Sequence, residues 1–388
     1  MAFPLRGWLV LVLILGAVAP AAAEPKRVVL LHSFGRDFKP WSDYGRAIRT
    51  ELDRQSPSPL NIDEHSLIFS RFSNAANPEH AFVDYLRAIY ADKQPDLIVS
   101  IGASAAGFVQ RHRDELFLTT PMVLAATDYR DVRSLTDNDT AVTVFLDFLG
   151  AVENILRVLP DTKNVEVVVG DSPNDKVWIE KWTKALKPLE KRISITLYNK
   201  LSFEDILKRA AALPPHTAIF WGTMTIDAAG VAHEAATALS RLYAVANAPI
   251  FSYNDATFGH ETVGGPLIST LETGRQTAEV ALRVLGGEKP GDIKVPPLGL
   301  ATPKYNWAEL QRWGISETRL PPGSEIYFRQ PNVWQQYRLQ IALGAAAILA
   351  QGALICGLLF ERRRRVHAEV QSRQLGGACP HQPRFHGW

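Results

Sequence analysis

The sequence predicts an α/β protein built of two parallel α/β lobes, followed by one C-terminal transmembrane helix. Three observations carry this expectation. Short β-branched apolar runs alternate with amphipathic stretches from Lys26 onward, the alternation restarts near residue 150, and residues 341–360 form an apolar run without a charge. Strands that alternate with helices imply parallel sheets covered by helices on both faces, because each parallel crossover needs a long return. A chain of 388 residues is ample for a core of that size.

In the first lobe, residues 27–31 (RVVLL) read as a buried strand, since a short continuous apolar run fits a strand covered on both faces. Residues 43–54 read as a helix with Ile48 and Leu52 on one face. A strand at 62–67 and a helix at 81–91 follow. Residues 97–101 (LIVSI) are the third strand, running through Gly102 into a helix from Ala105, and 122–125 the fourth.

In the second lobe, 152–159 is a helix and 165–169 (VEVVV) a strand, turned by Gly170-Asp171-Ser172-Pro173. A helix at 176–191, a strand at 193–198 and a helix at 203–212 capped by Ser202 come next. Strands at 218–221 and 250–253 flank a helix at 231–244, and the helix at 271–285 stops at Gly286-Gly287. The seam between lobes is expected near 143–150 and the return near 262–269. Pro296-Pro297 and residues 300–305 are expected to be irregular structure packed over the lobes. Pro321-Pro322-Gly323 then breaks the chain before a tether at 324–333.

Residues 1–23 have the form of a secretory signal. Arg6 is the positive flank, 8–18 the apolar stretch and Ala21-Ala22-Ala23 the cleavage site, with an uncleaved anchor as the alternative. The run at 341–360 is different: at ~1.5 Å per residue it spans about 30 Å, the thickness of a hydrocarbon core. Trp334 and Tyr337 precede it in an interfacial flank at 333–340, and Arg362, Arg363, Arg364 and Arg365 follow it. Arginines beside a span resist translocation. The expected topology is therefore single-pass in the inner membrane, with residues 24–332 periplasmic and 361–388 cytoplasmic. A buried core helix, the other reading of such a run, fits poorly with four adjoining arginines. Cys356 in the span and Cys379 in the tail leave the exported part without a cysteine, excluding a disulfide framework or thiolate metal site there.

In open parallel sheets ligands bind beyond the carboxyl ends of the strands. The residues there are Ser33, Phe34, Ser104, Asp128 and Tyr129 in the first lobe, and Asp171, Asn174, Trp221, Asn254 and Asp255 in the second. Aromatic faces with a few polar groups suit a small polar or amphipathic ligand, although Ser, Asp and Asn at such positions equally cap helices. Catalytic patterns are absent. GASAAG at 102–107 lacks the Lys-Ser/Thr of a P-loop, His32-Ser33 lies outside any G-x-S-x-G elbow, no H-E-x-x-H occurs, and His260-Glu261 reads as well as a solvated loop. No catalytic residue, metal or cofactor is expected. A formal charge of +2 offers no reason for a nucleic-acid partner.

The stretches KRVVLLHSFGRDFKPWSDYGRAIRTEL, DLIVSIGASAAGFVQRHR and VLPDTKNVEVVVGDSPND, with FSYNDATFG and the membrane helix with its arginines, resemble the sensor regions of certain bacterial membrane histidine kinases. Those regions are similar to the substrate-binding proteins of ABC transporters. The resemblance covers about residues 26–374 and implies a two-lobed type I periplasmic-binding-protein-like fold. It assigns no ligand residue. In such kinases the arginine run continues as a helix into dimerisation and phosphoacceptor domains. Residues 361–375 begin such a helix, but 377–388 (GACPHQPRFHGW) carry Pro380 and Pro383 and no apolar period. One permissible codon set for 377–388, displaced by one nucleotide, reads ELAHINRVSTA, which resembles the opening of the kinase dimerisation helix. A frameshift near 374–377 that removes the transmitter is expected on this ground.

The expected function is that of a membrane-anchored extracytoplasmic sensor that binds a small molecule between two lobes, with a homodimer among its expected assemblies. A tethered transporter binding protein is the alternative, and an exported α/β enzyme ranks below both.

Overall fold

A computed structural model describes residues 24–35, 38–68, 78–132, 135–259, 261–329 and 333–376. The expected signal segment, His260 and the tail at 377–388 lie outside the described residues, as does the side chain of Asn174. The chain divides into two compact units, Met1–Phe328 and Arg329–Trp388.

The first unit holds two parallel sheets. Strands β1 (Lys26–His32), β2 (Leu60–Ser66), β3 (Leu97–Ile101), β4 (Met122–Asp128) and β5 (Asp139–Val144) form a five-stranded sheet in the order β2-β1-β3-β4-β5. Strands β6 (Asn164–Val168), β7 (Ser194–Leu197), β8 (Thr217–Trp221) and β9 (Ile250–Ser252) form a four-stranded sheet in the order β7-β6-β8-β9. The apolar runs are continuous because both faces are covered. Val28 and Leu30 enter one core while Val29 and Leu31 enter another on the opposite face. In the second sheet Ala218 and Phe220 separate in the same way from Ile219 and Trp221.

Helices α1 (Trp41–Gln55), α2 (Pro78–Ile89) and α3 (Ala103–Arg111) cover the first sheet. Helices α4 (Phe148–Val158), α5 (Pro173–Leu186), α6 (Phe203–Ala210) and α7 (Ala235–Val245) accompany the second. The chain then returns, and α8 (Thr270–Leu285) packs on α1 and on the first sheet. The segments that pass between lobes are bonded to one another. The Leu298 amide donates to the Thr143 carbonyl and the Phe145 amide to the Leu298 carbonyl, both at 2.8 Å, and the Ala301 amide donates to Leu267 at 2.9 Å.

Several expected elements are redrawn. Residues 139–144 form a fifth strand, and the helix expected from 152 starts at Phe148, where the Asp147 carboxylate accepts the Gly150 amide at 2.9 Å. The helix expected from 231 starts at Ala235. Asp227 holds the preceding turn by accepting the Ala229 and Val231 amides at 3.0 and 2.9 Å, and Glu234 caps the helix through the Ala236 and Thr237 amides. The stretches expected as irregular structure and tether contribute to a small sheet instead. In it β10 (Gly264–Gly265) pairs antiparallel with β11 (Lys304–Asn306), and β11 pairs parallel with β12 (Glu325–Tyr327). A short helix, α9 (Trp307–Arg312), follows β11.

In the second unit the described residues from Val333 onward form one helix, α10 (Val333–Gly376), of 44 residues. Its segment Tyr337–Gln371 is long and apolar enough to cross a membrane. The helix is unbroken from the apolar stretch through Arg362–Arg365, so charged and apolar parts share one rod of about 66 Å.

Candidate ligand cleft between the lobes

The strand ends of the first lobe are drawn together by backbone and side-chain bonds. The Ser33 hydroxyl donates to the Ile101 carbonyl at 2.7 Å and accepts the Ala105 amide at 3.0 Å, tying the end of β1 to the end of β3 and the start of α3. Gly102 makes this possible. Its φ is +88°, and a Cβ there would fall 2.7 Å from Ser33 Oγ and 2.8 Å from Trp41 Nε1. Phe34 is buried against Trp41, with ring centroids 4.4 Å apart.

Asp128 ends β4 and is buried, clasped by Arg130 at 2.8 Å from Nε and 2.6 Å from Nη2, while it accepts the Arg130 amide at 2.9 Å. Burial alone would raise its carboxyl, but the Arg130 hydrogen bonds and charge together hold it below the ordinary carboxylate range. The guanidinium in turn lies 5.4 Å from the Phe145 ring centroid, and Tyr129 meets Phe145 edge-on at 5.7 Å. Tyr129 remains 45% exposed.

Opposite, on the second lobe, α5 opens with a capping box in which Ser172 and Asp175 exchange side-chain to backbone bonds. Asp175 is fully buried and also accepts the Thr223 hydroxyl at 2.6 Å. Burial pushes its carboxyl up, against the pull of hydrogen bonds from Thr223, Ser172 and Thr225. Tyr253 and, from α1 of the first lobe, Tyr44 are both buried, which raises each phenol well above its usual value; the charges of Tyr253 and Asp255 add to the effect on Tyr44. Farther along, Lys181 of α5 pairs with Asp131 of the first lobe and lies 4.9 Å over the Trp178 ring, closing that end of the cleft.

A cavity of about 210 Å³ lies between Phe38, Lys39 and Pro40 of the first lobe and, from the second, Trp221, Thr223, Met224, the start of α7 and the loop at 254–261. Lys39 bridges its mouth, donating to the Ala256 carbonyl across 3.4 Å. Aromatic and aliphatic walls with a few polar groups, the Lys39 ammonium and the Glu261 carboxylate are suited to holding an amphipathic small molecule.

The strand-end positions other than Asn174, whose side chain is outside the described residues, thus separate. Trp221 and Asn254 line the cavity. Ser104 is half-buried, and the Asp171 and Tyr129 side chains stay partly exposed on the facing edges. Ser33, Phe34 and Asp128 serve the internal contacts just described. Asp255 accepts the Thr270 amide at 2.8 Å and hydroxyl at 2.7 Å, holding the return into α8. Asn254 accepts the Ala256 amide at 3.1 Å besides its place in the wall. Sequence reasoning missed Lys39, Met224 and Phe258, which lie beyond strand ends by several residues. Among the described residues, no group of three or more His, Cys, Asp and Glu side chains is placed to hold a metal ion.

A family model described as ABC transporter substrate binding protein matches residues 60–315. Comparison with curated proteins finds no match. Among solved structures, the ABC domain in complex with L-Trp from Streptococcus pneumonia is 16% identical, with a TM-score of 0.58 over 78% of this chain and 100% of that one. A conserved domain protein from Vibrio cholerae is 17% identical, with a TM-score of 0.57 over 78% of this chain and 99% of its own. A substrate-binding protein with adhesive properties from Clostridium difficile, in its ligand-free open form, is 15% identical, with a TM-score of 0.53 over 79% and 100%. At such identities these likenesses show the fold, a two-lobed type I periplasmic-binding-protein-like one. Given the family match over most of the lobed unit, the chain belongs to the ABC transporter substrate-binding protein family.

Proposed function

We propose that the chain is the ligand-sensing part of a membrane receptor, and that its ligand is a small amphipathic molecule with a ring or other apolar body and an acidic group. The cavity lined from both lobes carries the reading. Trp221 and Phe258 offer faces to the apolar body, Lys39 offers an ammonium to the acid, and Asn254 and Thr223 offer directional bonds. Ser104, Tyr129 and Asp171 stand as proposed contacts for a ligand that reaches farther along the cleft. The Streptococcus pneumonia structure holds L-Trp, which makes an aromatic amino acid the first ligand to try.

The receptor reading is favoured over delivery to a transporter by α10, a helix unbroken across apolar stretch and arginines, a form suited to carrying displacement. The arginines put the C-terminal side in the cytoplasm and the lobes outside it. On the same reading the chain derives from a sensor kinase, and its coding DNA, read in the shifted frame beyond Gln374, continues into kinase sequence. The family description itself favours the second reading, a tethered transport protein.

The test is a melting experiment on the full chain in lipid nanodiscs with L-tryptophan and a panel of small aromatic and aliphatic acids. A ligand at 100 times its Kd stabilises by ~2.7 kcal/mol, and Trp221→Ala and Lys39→Ala are expected to weaken that shift. If no solute moves the melting curve, the binding reading fails. Solute uptake that depends on this chain would favour the transport reading.

A further inference from the structure

Phe258 lines the cavity, yet its ring also packs on the segment by which the chain leaves the lobes. It meets Tyr327 edge-on with centroids 5.6 Å apart at 84°, and Phe328 at 5.6 Å and 40°. Tyr327 ends β12, and Phe328 follows it in left-handed backbone with φ +57°. These are the last residues of the lobed unit, and α10 begins along the chain at Val333.

Polar contacts bind the same loop to the same small sheet. Buried Asn306 of β11 donates its amide Nδ2 to the Gly259 carbonyl at 2.6 Å, and accepts the Ala308 amide at 3.0 Å. Gly264 of β10 has φ +102°, and a Cβ there would fall 2.0 Å from the Lys304 carbonyl oxygen and 3.0 Å from Phe258 Cε2. Loop, β10 and β11 therefore close on one another without slack, and close packing transmits displacement rather than absorbing it. On its other side the loop is held to the first lobe by the Lys39–Ala256 bond.

We propose that Phe258 couples the cavity to the exit strand. An occupant of the cavity moves the loop at 256–259, and the Phe258 ring passes that movement to Tyr327 and Phe328, the residues that lead into α10. The physiological sense of this device rests on the cavity being the ligand site, but the linkage itself is testable without a ligand.

Ala236 of α7 is half-buried and lines the cavity without belonging to Phe258's loop, so Ala236→Phe places a large side chain at that wall. Hydrogen–deuterium exchange is read on the full chain in nanodiscs, with the amides of β1 in the first lobe and β6 in the second as the control for intact folding. Ala236→Phe is expected to change exchange at Glu325–Phe328 by about threefold or more. The change should vanish when Phe258→Ala is added and persist with Phe258→Tyr, which keeps the ring. Should Ala236→Phe disturb β1 or β6, the smaller Ala236→Leu carries the same test. If filling the cavity leaves Glu325–Phe328 unchanged, or if the change survives Phe258→Ala, the coupling is refuted. A failed ligand screen bears only on the binding reading, because here the occupant is part of the chain.

Discussion

Lys181 and Asp131 join the lobes outside the residues that line the cavity, so neutralising either should favour opening. Both side chains are partly exposed, at 23% and 30%, which places the pair between a surface bridge and a buried one. Exposed pairs contribute about 0.2–1 kcal/mol, and the Lys181 ammonium over Trp178 adds ~0.5 kcal/mol that is also lost in Lys181→Met. A total of about 1 kcal/mol corresponds to roughly a fivefold loss in the ratio of closed to open forms. A ligand that binds the closed form loses at most the same factor in affinity. The measurement is the inter-lobe distance distribution from fluorophores on the two lobes, in wild type, Lys181→Met, Asp131→Asn and the double variant. The two single changes should be non-additive, and the effect should shrink at high salt. Additive effects, or an unchanged distance distribution in Lys181→Met, would show that this ion pair does not hold the cleft shut.

Trp182 is 1% exposed and stacks on Phe148 at 4.1 Å and against Phe220 at 4.6 Å; Trp182→Ala should cost ~3–5 kcal/mol in denaturant unfolding. Ser33→Ala leaves the Ala105 amide without its hydroxyl acceptor and removes a buried bond to Ile101, a loss of about 1–3 kcal/mol in stability, with no change in ligand affinity if the residue acts only as a strut. Acid should act on two aspartates with opposite sign. Asp128 is held low, so its contribution is present above the unfolded value of about 3.9 and lost as pH falls through the folded pKa; Asp128→Asn should flatten that acid limb of the melting profile. Asp175 is raised by burial, so its ionised form weighs against folding at neutral pH. Wild type should therefore gain stability relative to Asp175→Asn as pH falls through the raised pKa toward about 4.

Local pattern was enough for elements that are apolar on every exposed side of the strand. LIVSI at 97–101 appears with the same bounds in sequence and structure, because a strand buried on both faces has no other use for such a run. The apolar run at 341–360 was equally legible as helix, and the helix that holds it is long and apolar enough to cross a membrane. Strand β5 (DTAVTV) was not, because an edge strand with Asp and Thr carries little apolar signal and is held by pairing with β4. Strands β10, β11 and β12 are two or three residues long, too short for any period, and exist only because Gly264, Lys304 and Glu325 come side by side in the folded chain.

The candidate site divides in the same way. That polar and aromatic groups gather at strand ends follows from topology, and of the positions named on that rule Trp221 and Asn254 line the cavity. Sequence could not tell which residues pair across the lobes and which line the cavity. Lys39 reaches the Ala256 carbonyl across 217 residues of chain, and Phe258 finds Tyr327 across a shorter stretch that is still far beyond any local period. Contacts at such separation are fixed by how the two sheets and their crossing segments pack, and no local run of residues records them.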